Sequence, residues 1–308
     1  SAVMRHRIAS GQATRIGRLG SREIAWALQS ETHAALIDAC LPPGKDPSWE
    51  DLRALGVGFW LKSPEGLRKR MESVARAQFT AKRDATACAL LYIAMGRASV
   101  LAGLARSVNN RKLVDFLARD FSKPENCAAA HKNAYVLMGQ HRYELAAAFF
   151  LLGRDVGDCV GLLVDKLKDA QLAIVVLRLR LGEGDQTCRP ILTRVMEQRL
   201  EAAADEHDVW MESSLLWLLK RRGASVQVLY DSMQGGLRTS HGHPRPEEFD
   251  PAFADFCRVL LRRPELHGHL EGIHALEGAM ASRAAHAYES WGLPLLALER
   301  MPPPGGAD

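Results

Sequence analysis

The sequence predicts an all-α protein, an α-solenoid built from antiparallel helical hairpins. Apolar residues recur at helical spacing along most of the chain, in segments of about three or four turns. Short connections that carry a glycine separate these segments, as in antiparallel helix pairs. Almost nothing reads as a strand, because the apolar run at 174–177 lies in a helical context rich in Leu, Ala and Arg. These three observations favour a helical-repeat architecture without defining one repeat family.

The first predicted elements surround a short aromatic segment, "WEDLRALGVGFWL", that begins at Trp49. Ser48 and the acidic residues after it predict a capped helix start. Ser63 followed by Pro64 predicts a second start, with proline in the first helical position. The helix that follows carries Leu67, Met71, Val74 and Gln78 along one stripe.

The next elements follow the same pattern. Asp84 is expected to cap an apolar segment that stops at Gly96, and a partner helix resumes at once. The later segments are expected to stop at Gly139, Gly153 and Gly182. The motif "LYIAMGR" around Tyr92 is echoed by "AYVLMGQ" downstream, which is consistent with duplicated hairpins.

The C-terminal third is less regular. The segment "HDVWMESSLLWLLKRRG" predicts a strong helix that stops at Gly223. Further helices are expected near 253–261 and, as one segment, 273–298. We expect four regions: a flexible segment at 1–20, a helical domain at 21–182, a less regular helical region at 183–300 with a loop at 235–247, and a disordered tail at 301–308.

Bulk properties narrow the class of protein. Its 308 residues carry a net charge of only +4, and 47% of them are hydrophobic, which is ordinary for a soluble globular chain. Six scattered cysteines without a C-x-x-C pair are typical of cytosolic buried thiols. The longest apolar run, 145–153, is far shorter than the about 20 residues that span a bilayer. The first residues lack a signal-peptide core, and a start at Ser1 predicts a fragment or isolated domain.

Familiar catalytic motifs are not found. No Walker A or G-x-S-x-G pattern occurs, and the G-x-G of Gly56 and Gly58 lacks both a third glycine and a preceding strand. We therefore predict no enzyme and no cofactor. A metal reading of His241, His243 and His267 is rejected in favour of a polar loop. The carboxylates at Glu201, Asp205, Glu206 and Asp208 are interpreted as a solvated helix end rather than a catalytic pair.

Two groups of residues remain as candidates. Trp49, Gly56, Gly58, Phe59 and Trp60 are predicted to form a corner where helices meet, with the glycines permitting a turn or a close approach and the aromatic residues acting as anchors. Arg68, Lys69, Arg70 and Arg76 are a candidate protein-binding face. The alternatives are a solvated helix face and an RNA-binding surface over 68–83. RNA binding is disfavoured because no row of aromatic residues, on which nucleobases could stack, accompanies the basic residues.

Several ordered blocks resemble one family. They include "EIAWALQSE", "WEDLRALGVGFWL", "LRKRMESVARAQF", "ALLYIAMGR" and "KNAYVLMGQHRYELAAAFFLLG", with compatible spacing from Glu23 to Leu181. The chain here resembles the C-terminal helical region of the large subunit of the RAVE complex, the family that includes rabconnectin alpha and the DmX-like proteins. After Gly182 the pattern is not traced, and a lineage-specific extension is expected.

The resemblance implies a non-catalytic assembly factor. In this family the large subunit helps the soluble sector of the vacuolar proton-pumping ATPase (V-ATPase) rejoin the membrane sector. The implied partners are subunits of that soluble sector and other RAVE-type subunits, with no nucleic acid. The implied location is cytoplasmic, with recruitment to vacuolar or endosomal membranes. Family members carry β-propellers ahead of the helical region, and no β-propeller pattern is found in this sequence. We therefore expect the chain to be one domain of a larger protein or a reduced relative.

Overall fold

The computed structural model describes residues 18–41, 44, 46–182, 185–233, 251–266 and 273–300. These residues form 18 α-helices and two 3-10 turns, and no strand occurs among them. The all-α prediction is confirmed. The chain divides into two compact units between Gln198 and Arg199. Among the described residues, no helix combines the length and the apolarity needed to cross a membrane.

The first unit contains twelve complete helices and one 3-10 turn at Ala85–Cys88. In chain order they are α1 Ser21–Leu28, α2 His33–Cys40, α3 Trp49–Ala54, α4 Val57–Trp60, α5 Pro64–Lys82, α6 Ala89–Ala94, α7 Ala98–Ser107, α8 Arg111–Leu117, α9 Pro124–Gly139, α10 Tyr143–Leu152, α11 Val156–Asp165 and α12 Ala170–Arg180.

Consecutive helices pack as hairpins, as the solenoid prediction requires. The successive pairs from α9 to α12 are in contact, as are α6 with α7 and α7 with α8. Further contacts join helices that are not neighbours in sequence. Helix α12 packs against α4, α5 and α6, and α10 packs against α6. The first unit therefore closes on itself through α12, beyond the nearest-neighbour contacts of a simple solenoid.

Helix α12 lies at the centre of this unit. Seven of its eleven residues are buried, including every residue from Leu172 to Leu177. A helix that is apolar on all sides is stable only when other helices cover it on all sides. The β-branched run inside it is helical, as expected from its context. The buried faces of α6 and α10 supply much of the covering surface.

The second unit begins within α13 (Cys188–Asp205). It continues through α14 (Val209–Leu218), α15 (Arg222–Met233), α16 (Pro251–Leu261), a 3-10 turn at Pro264–Leu266, α17 (Ile273–Ser290) and α18 (Pro294–Arg300). Each helix from α14 to α18 packs against the next one. Between α14 and α15, the buried Ser213 and Ser225 each donate a hydroxyl hydrogen bond of 2.8 Å to the other's carbonyl oxygen.

Two boundary predictions in this unit are wrong. Gly223 lies inside α15, and α14 ends earlier because Lys220 adopts a left-handed φ of 63°. The segment expected as one helix over 273–298 is two helices. Gly292 has a φ of 74° and Pro294 begins α18, so the chain turns between them.

Many helices end at a residue whose backbone adopts the left-handed conformation, and many of these residues are not glycine. Gly96 and Gly182 end helices as expected, with φ of 73° and 79°. The helices also stop at Gly139 and Gly153 as predicted, but there the left-handed residue is His141 or Arg154, one or two positions later. Non-glycine residues with φ between 48° and 63° are Arg83, Asn109, His141, Arg154, Lys168, His207 and Lys220. For residues other than glycine, this backbone conformation costs about 1–2 kcal/mol.

Some predicted regions lie outside the described residues. These are most of the flexible segment expected at 1–20, the loop at 235–247 and the tail at 301–308. The boundary predicted at 182 remains a prediction.

Replacing Lys220 with glycine is expected to raise the free energy of unfolding by about 1 kcal/mol, because glycine adopts the left-handed conformation without a steric penalty. Urea denaturation measures the change. Lys220→Ala is the matched control, since it removes the same charge and side chain but retains Cβ. Equal stabilities of the two variants would contradict the prediction.

Candidate protein-binding surface

Helix α5 carries the basic residues proposed as a binding face. It is the longest helix of the first unit, and its start is fixed by Ser63, whose hydroxyl accepts a hydrogen bond of 3.1 Å from the Gly66 amide. Leu67, Met71 and Val74 are buried along one side. A rotation of about 100° per residue then spreads the four basic residues over more than one face of the helix.

Arg68 binds the ends of two other helices. Its Nη1 donates to the Met95 carbonyl oxygen at 3.1 Å, and its Nη2 donates to the Leu179 carbonyl oxygen at 3.2 Å. Met95 is the C-cap of α6, and Leu179 lies in the last turn of α12. Carbonyl groups at helix C-termini lack partners within their helix and carry partial negative charge. The guanidinium group of Arg68 therefore stabilises the packing of α5, α6 and α12.

Arg70 points away from the other cations. Two residues after Arg68 on a helix, it is rotated by about 200°. It forms an ion pair with Asp38 of α2, with Nη2 and Oδ1 separated by 2.5 Å. Arg70 is therefore engaged in holding α2 to α5.

Lys69 and Arg76 share an exposed face of α5. They are seven residues apart, close to two full turns. Neither forms an ion pair with another described residue, and both side chains are exposed. Glu72 lies between them and pairs with Arg97 at 2.7 Å. This face of α5 thus presents Lys69 and Arg76 next to the Glu72–Arg97 pair, rather than a stripe of all four basic residues.

The aromatic segment lies against the beginning of α12. Trp49 is buried, and its indole N–H donates to Asp169 Oδ2 at 2.8 Å. The other oxygen of Asp169 accepts the Leu172 amide at 2.9 Å and so caps α12. Arg53 lies 3.5 Å from the same carboxylate through Nε. Because Asp169 is itself buried, these partners supply the hydrogen bonds that water cannot.

The two glycines have separate structural requirements. Gly56 has a φ of 69° between α3 and α4. Gly58 has no room for a side chain, because a Cβ there would lie 2.9 Å from Cβ of Gln171 and 3.0 Å from its carbonyl oxygen. The Gly58 amide donates to the Gln171 side chain at 3.3 Å. Close backbone contact between α4 and α12 therefore depends on Gly58.

Phe59 and Trp60 are also buried. The indole N–H of Trp60 donates to the Leu55 carbonyl oxygen at 2.8 Å. The ring of His33 on α2 packs edge-on against Trp60, with ring centroids 5.4 Å apart. The aromatic segment thus joins α2, α3, α4 and α12 in one cluster.

The acidic residues near the end of α13 have local partners. Glu206 pairs with Arg199 at 3.1 Å, and the Asp208 side chain caps α14 by accepting the Met211 amide at 3.0 Å. Within the described residues, no group of three His, Cys, Asp or Glu side chains is placed to bind a metal ion. His241, His243 and His267 lie outside those residues.

The six cysteines are free thiols. Burial raises the pKa of Cys88 to about 11 and that of Cys257 to about 12. Burial raises the pKa of Cys159 as well. A thiol with a raised pKa is a poor nucleophile and a poor metal ligand at neutral pH.

An exposed apolar surface in the second unit was missed by the sequence analysis. The members of this cluster are large side chains on α18 and just before it: Trp291, Leu293, Leu295, Leu296 and Leu298. The exposed fractions of Leu295 and Leu298 are 76% and 65%. The signal in the sequence is "LPLLAL" directly after Gly292, which has the apolar content expected for the continuation of one long helix.

Replacing Gly58 with alanine is expected to lower the free energy of unfolding by about 1–3 kcal/mol, because the added Cβ overlaps the backbone of Gln171. Gly103→Ala is the control. A Cβ at Gly103, within α7, meets nothing within 4 Å, so alanine there is expected to stabilise the helix by up to about 1 kcal/mol. Equal changes at both glycines, measured by urea denaturation, would contradict close packing at Gly58.

Comparison with known proteins identifies the family. The family model described as RAVE protein 1 C terminal matches residues 2–299. The match continues well past Leu181, so the expectation of a lineage-specific extension after Gly182 is wrong.

Curated relatives share about a third of the residues in the aligned region. DmX-like protein 1 of Mus musculus is 34% identical over 222 residues, which cover 68% of this chain and 7% of the relative. Regulator of V-ATPase in vacuolar membrane protein 1 of Saccharomyces cerevisiae is 32% identical over 214 residues, covering 68% of this chain and 15% of the relative. The protein of the same name in Schizosaccharomyces pombe is 29% identical over 218 residues. The chain spans less than a fifth of the length of these relatives.

The family match covers nearly the whole chain, and the sequence blocks that resemble the family lie in its helices. The chain therefore belongs to the RAVE protein 1 C-terminal family.

Proposed function

We propose that this chain is a non-catalytic helical scaffold that takes part in regulating the V-ATPase. In this proposal it binds subunits of the soluble sector, together with other RAVE-type subunits, and promotes reassembly of that sector on the membrane sector. It acts in the cytoplasm and is recruited peripherally to vacuolar or endosomal membranes.

Family membership is the observation that carries the proposal. The relatives from both yeasts are named as regulators of V-ATPase in the vacuolar membrane. Those names describe proteins several times longer than this chain, so the helical region is proposed to contribute binding rather than the whole activity.

The structure supports a binding role at the level of the surface. Packed helices present side chains from many successive turns, which suits contact with large protein partners. In the first unit, the Lys69–Arg76 face combines two exposed cations with a neighbouring ion pair. Charges at the rim of an interface increase the rate of association and make binding sensitive to salt. We propose this face as an electrostatic contact with an acidic surface of a pump subunit.

The roles of Arg68 and Arg70 in this contact are indirect. Both side chains already bind groups within the first unit, Arg68 the helix ends and Arg70 the carboxylate of Asp38. Reversing their charge would therefore disturb packing as well as any binding. A clean test of the surface uses Lys69 and Arg76.

RNA binding by the 68–83 surface is the alternative function. It requires several cations along one face so that they can neutralise consecutive phosphates. Arg68 and Arg70 already bind groups within the first unit, which leaves fewer cations for phosphates and favours the protein-binding proposal.

The double substitution Lys69→Glu and Arg76→Glu is expected to reduce capture of soluble-sector subunits, because it replaces two attractive charges with repulsive ones. The full chain serves as bait in lysate at low and at physiological salt, and mass spectrometry quantifies the pump subunits. The difference from the unsubstituted chain is expected to shrink as salt increases.

Arg106→Glu with Lys112→Glu is the matched control, since it makes the same change in net charge on α7 and α8. Equal loss in both double variants would assign the effect to net charge, and no loss in either would remove this face from the proposal. Failure to capture any pump subunit, in any variant, would overturn the proposed function itself.

Titration with single-stranded RNA distinguishes RNA binding from the proposed protein binding. If Lys69 and Arg76 each neutralise one phosphate, reversing them is expected to reduce the log–log slope of affinity against salt by about 1.4. Absence of binding at low salt would eliminate the RNA reading.

A further inference from the structure

Helix α2 is held to the first unit by few contacts. Of its eight residues only Ile37 is fully buried, and four are exposed. The other interactions that hold α2 in place are the Asp38–Arg70 ion pair and the contacts of His33. Segments with few buried apolar side chains open locally at a lower free energy than the rest of a domain. We therefore expect α2 to open locally at a lower free energy than helices that bury more apolar side chains.

His33 lies at the first position of α2, and its ring contacts several groups. Its ring packs against Trp60, Nε2 lies 3.2 Å from the Ala27 carbonyl oxygen, and Nδ1 lies 3.5 Å from the Lys62 amide nitrogen. A carbonyl oxygen only accepts hydrogen bonds and an amide N–H only donates. The neutral ring with its proton on Nε2 satisfies both partners. A proton added at Nδ1 would face the Lys62 N–H and remove that hydrogen bond.

The charges around His33 also oppose protonation. The titratable groups that face the ring are Lys62, in the segment after α4, and Arg178 of α12, and both are cations. Arg178 is held nearby by its Nη2, which donates to the Lys62 carbonyl oxygen at 3.0 Å. The position of His33 at a helix N-terminus adds the positive end of the helix dipole. Hydrogen bonds to the carbonyl oxygens of Ala27 and Ser30 act in the opposite direction.

Burial of the ring, followed by the charge of Lys62, lowers the pKa of His33 below its ordinary value. The open form of α2, in which the ring is solvated, has the ordinary pKa of about 6.5. The open form therefore binds a proton more readily than the closed form. The stability of the closed form is complete above the ordinary pKa, and it is lost as the pH falls through that value towards the lowered one.

We propose that α2 is an acid-sensitive cover over the aromatic corner, released when His33 takes up a proton. Release breaks the Asp38–Arg70 pair and exposes the face of Trp60 that His33 covers. A basic and an aromatic side chain of the first unit, Arg70 and Trp60, then become accessible. Arginine and tryptophan are among the residues enriched at positions that contribute most to binding in protein interfaces. This consequence for binding rests on the proposed function, whereas the opening of α2 does not.

Hydrogen–deuterium exchange of the full chain tests the opening. Exchange of the α2 amides is measured from pH 7.5 to pH 5.0 and corrected for the intrinsic pH dependence of amide exchange. The opening equilibrium constant is expected to rise on acidification, by up to about tenfold per pH unit within the window set by the two pKa values. Exchange in α10 and α12 is expected to stay constant, because their burial does not depend on His33.

Two variants assign the effect to His33. His33→Asn stays neutral, and its opening is expected to be independent of pH. Lys62→Met removes one facing cation and is expected to reduce the dependence without abolishing it. His286→Gln, at an exposed histidine of α17, is the control and should retain the full dependence.

The proposal is overturned if opening of α2 in the unsubstituted chain does not vary with pH, or if His33→Asn varies as the unsubstituted chain does. It is also overturned if the α2 amides exchange only together with those of α12. None of these outcomes involves the pump, so they are independent of the test of the proposed function.

Discussion

The first unit depends on one constraint, that a helix buried on all sides must have both of its ends satisfied by protein groups. The terminal amides and carbonyls of a helix have no partner within the helix, and each one that is buried without a partner costs about 1–3 kcal/mol. Asp169 satisfies the beginning and is held in turn by Trp49 and Arg53. Arg68 satisfies a carbonyl at the end. The aromatic corner and the basic helix, which look like separate features in the sequence, are thus the two supports of one helix.

This arrangement explains why only part of the structure could be predicted from the sequence. Local signals were sufficient to predict which segments are helical, because apolar periodicity and a start such as Ser63–Pro64 depend only on residues close together in the sequence. They were also sufficient to place Gly56 at a turn between helices, whereas Gly58 lies inside α4 and contacts Gln171 of α12. The Trp49–Asp169 hydrogen bond joins residues 120 positions apart, and neither residue carries a pattern that names its partner.

The same limit applies to the candidate surface. A run of Arg68, Lys69 and Arg70 looks uniformly basic in one dimension, but helical rotation separates the three side chains and tertiary contacts engage two of them. Helix ends were harder still. A lysine or histidine in the left-handed region, such as Lys220 or His141, gives no signal of the kind that glycine gives. Packing elsewhere selects that conformation and offsets its local cost.

The hydrogen bonds of Arg68 bear on how sequence variation in this region is interpreted. An exposed arginine next to a suspected interface would ordinarily be scored as a contact residue, and a harmful substitution there as evidence of lost recognition. Here the same substitution would first lower the amount of folded protein, because two helix termini lose their common donor. Surveys of variants in this family therefore need a measurement of cellular abundance beside each measurement of binding, and a defect that scales with abundance at this position reports folding.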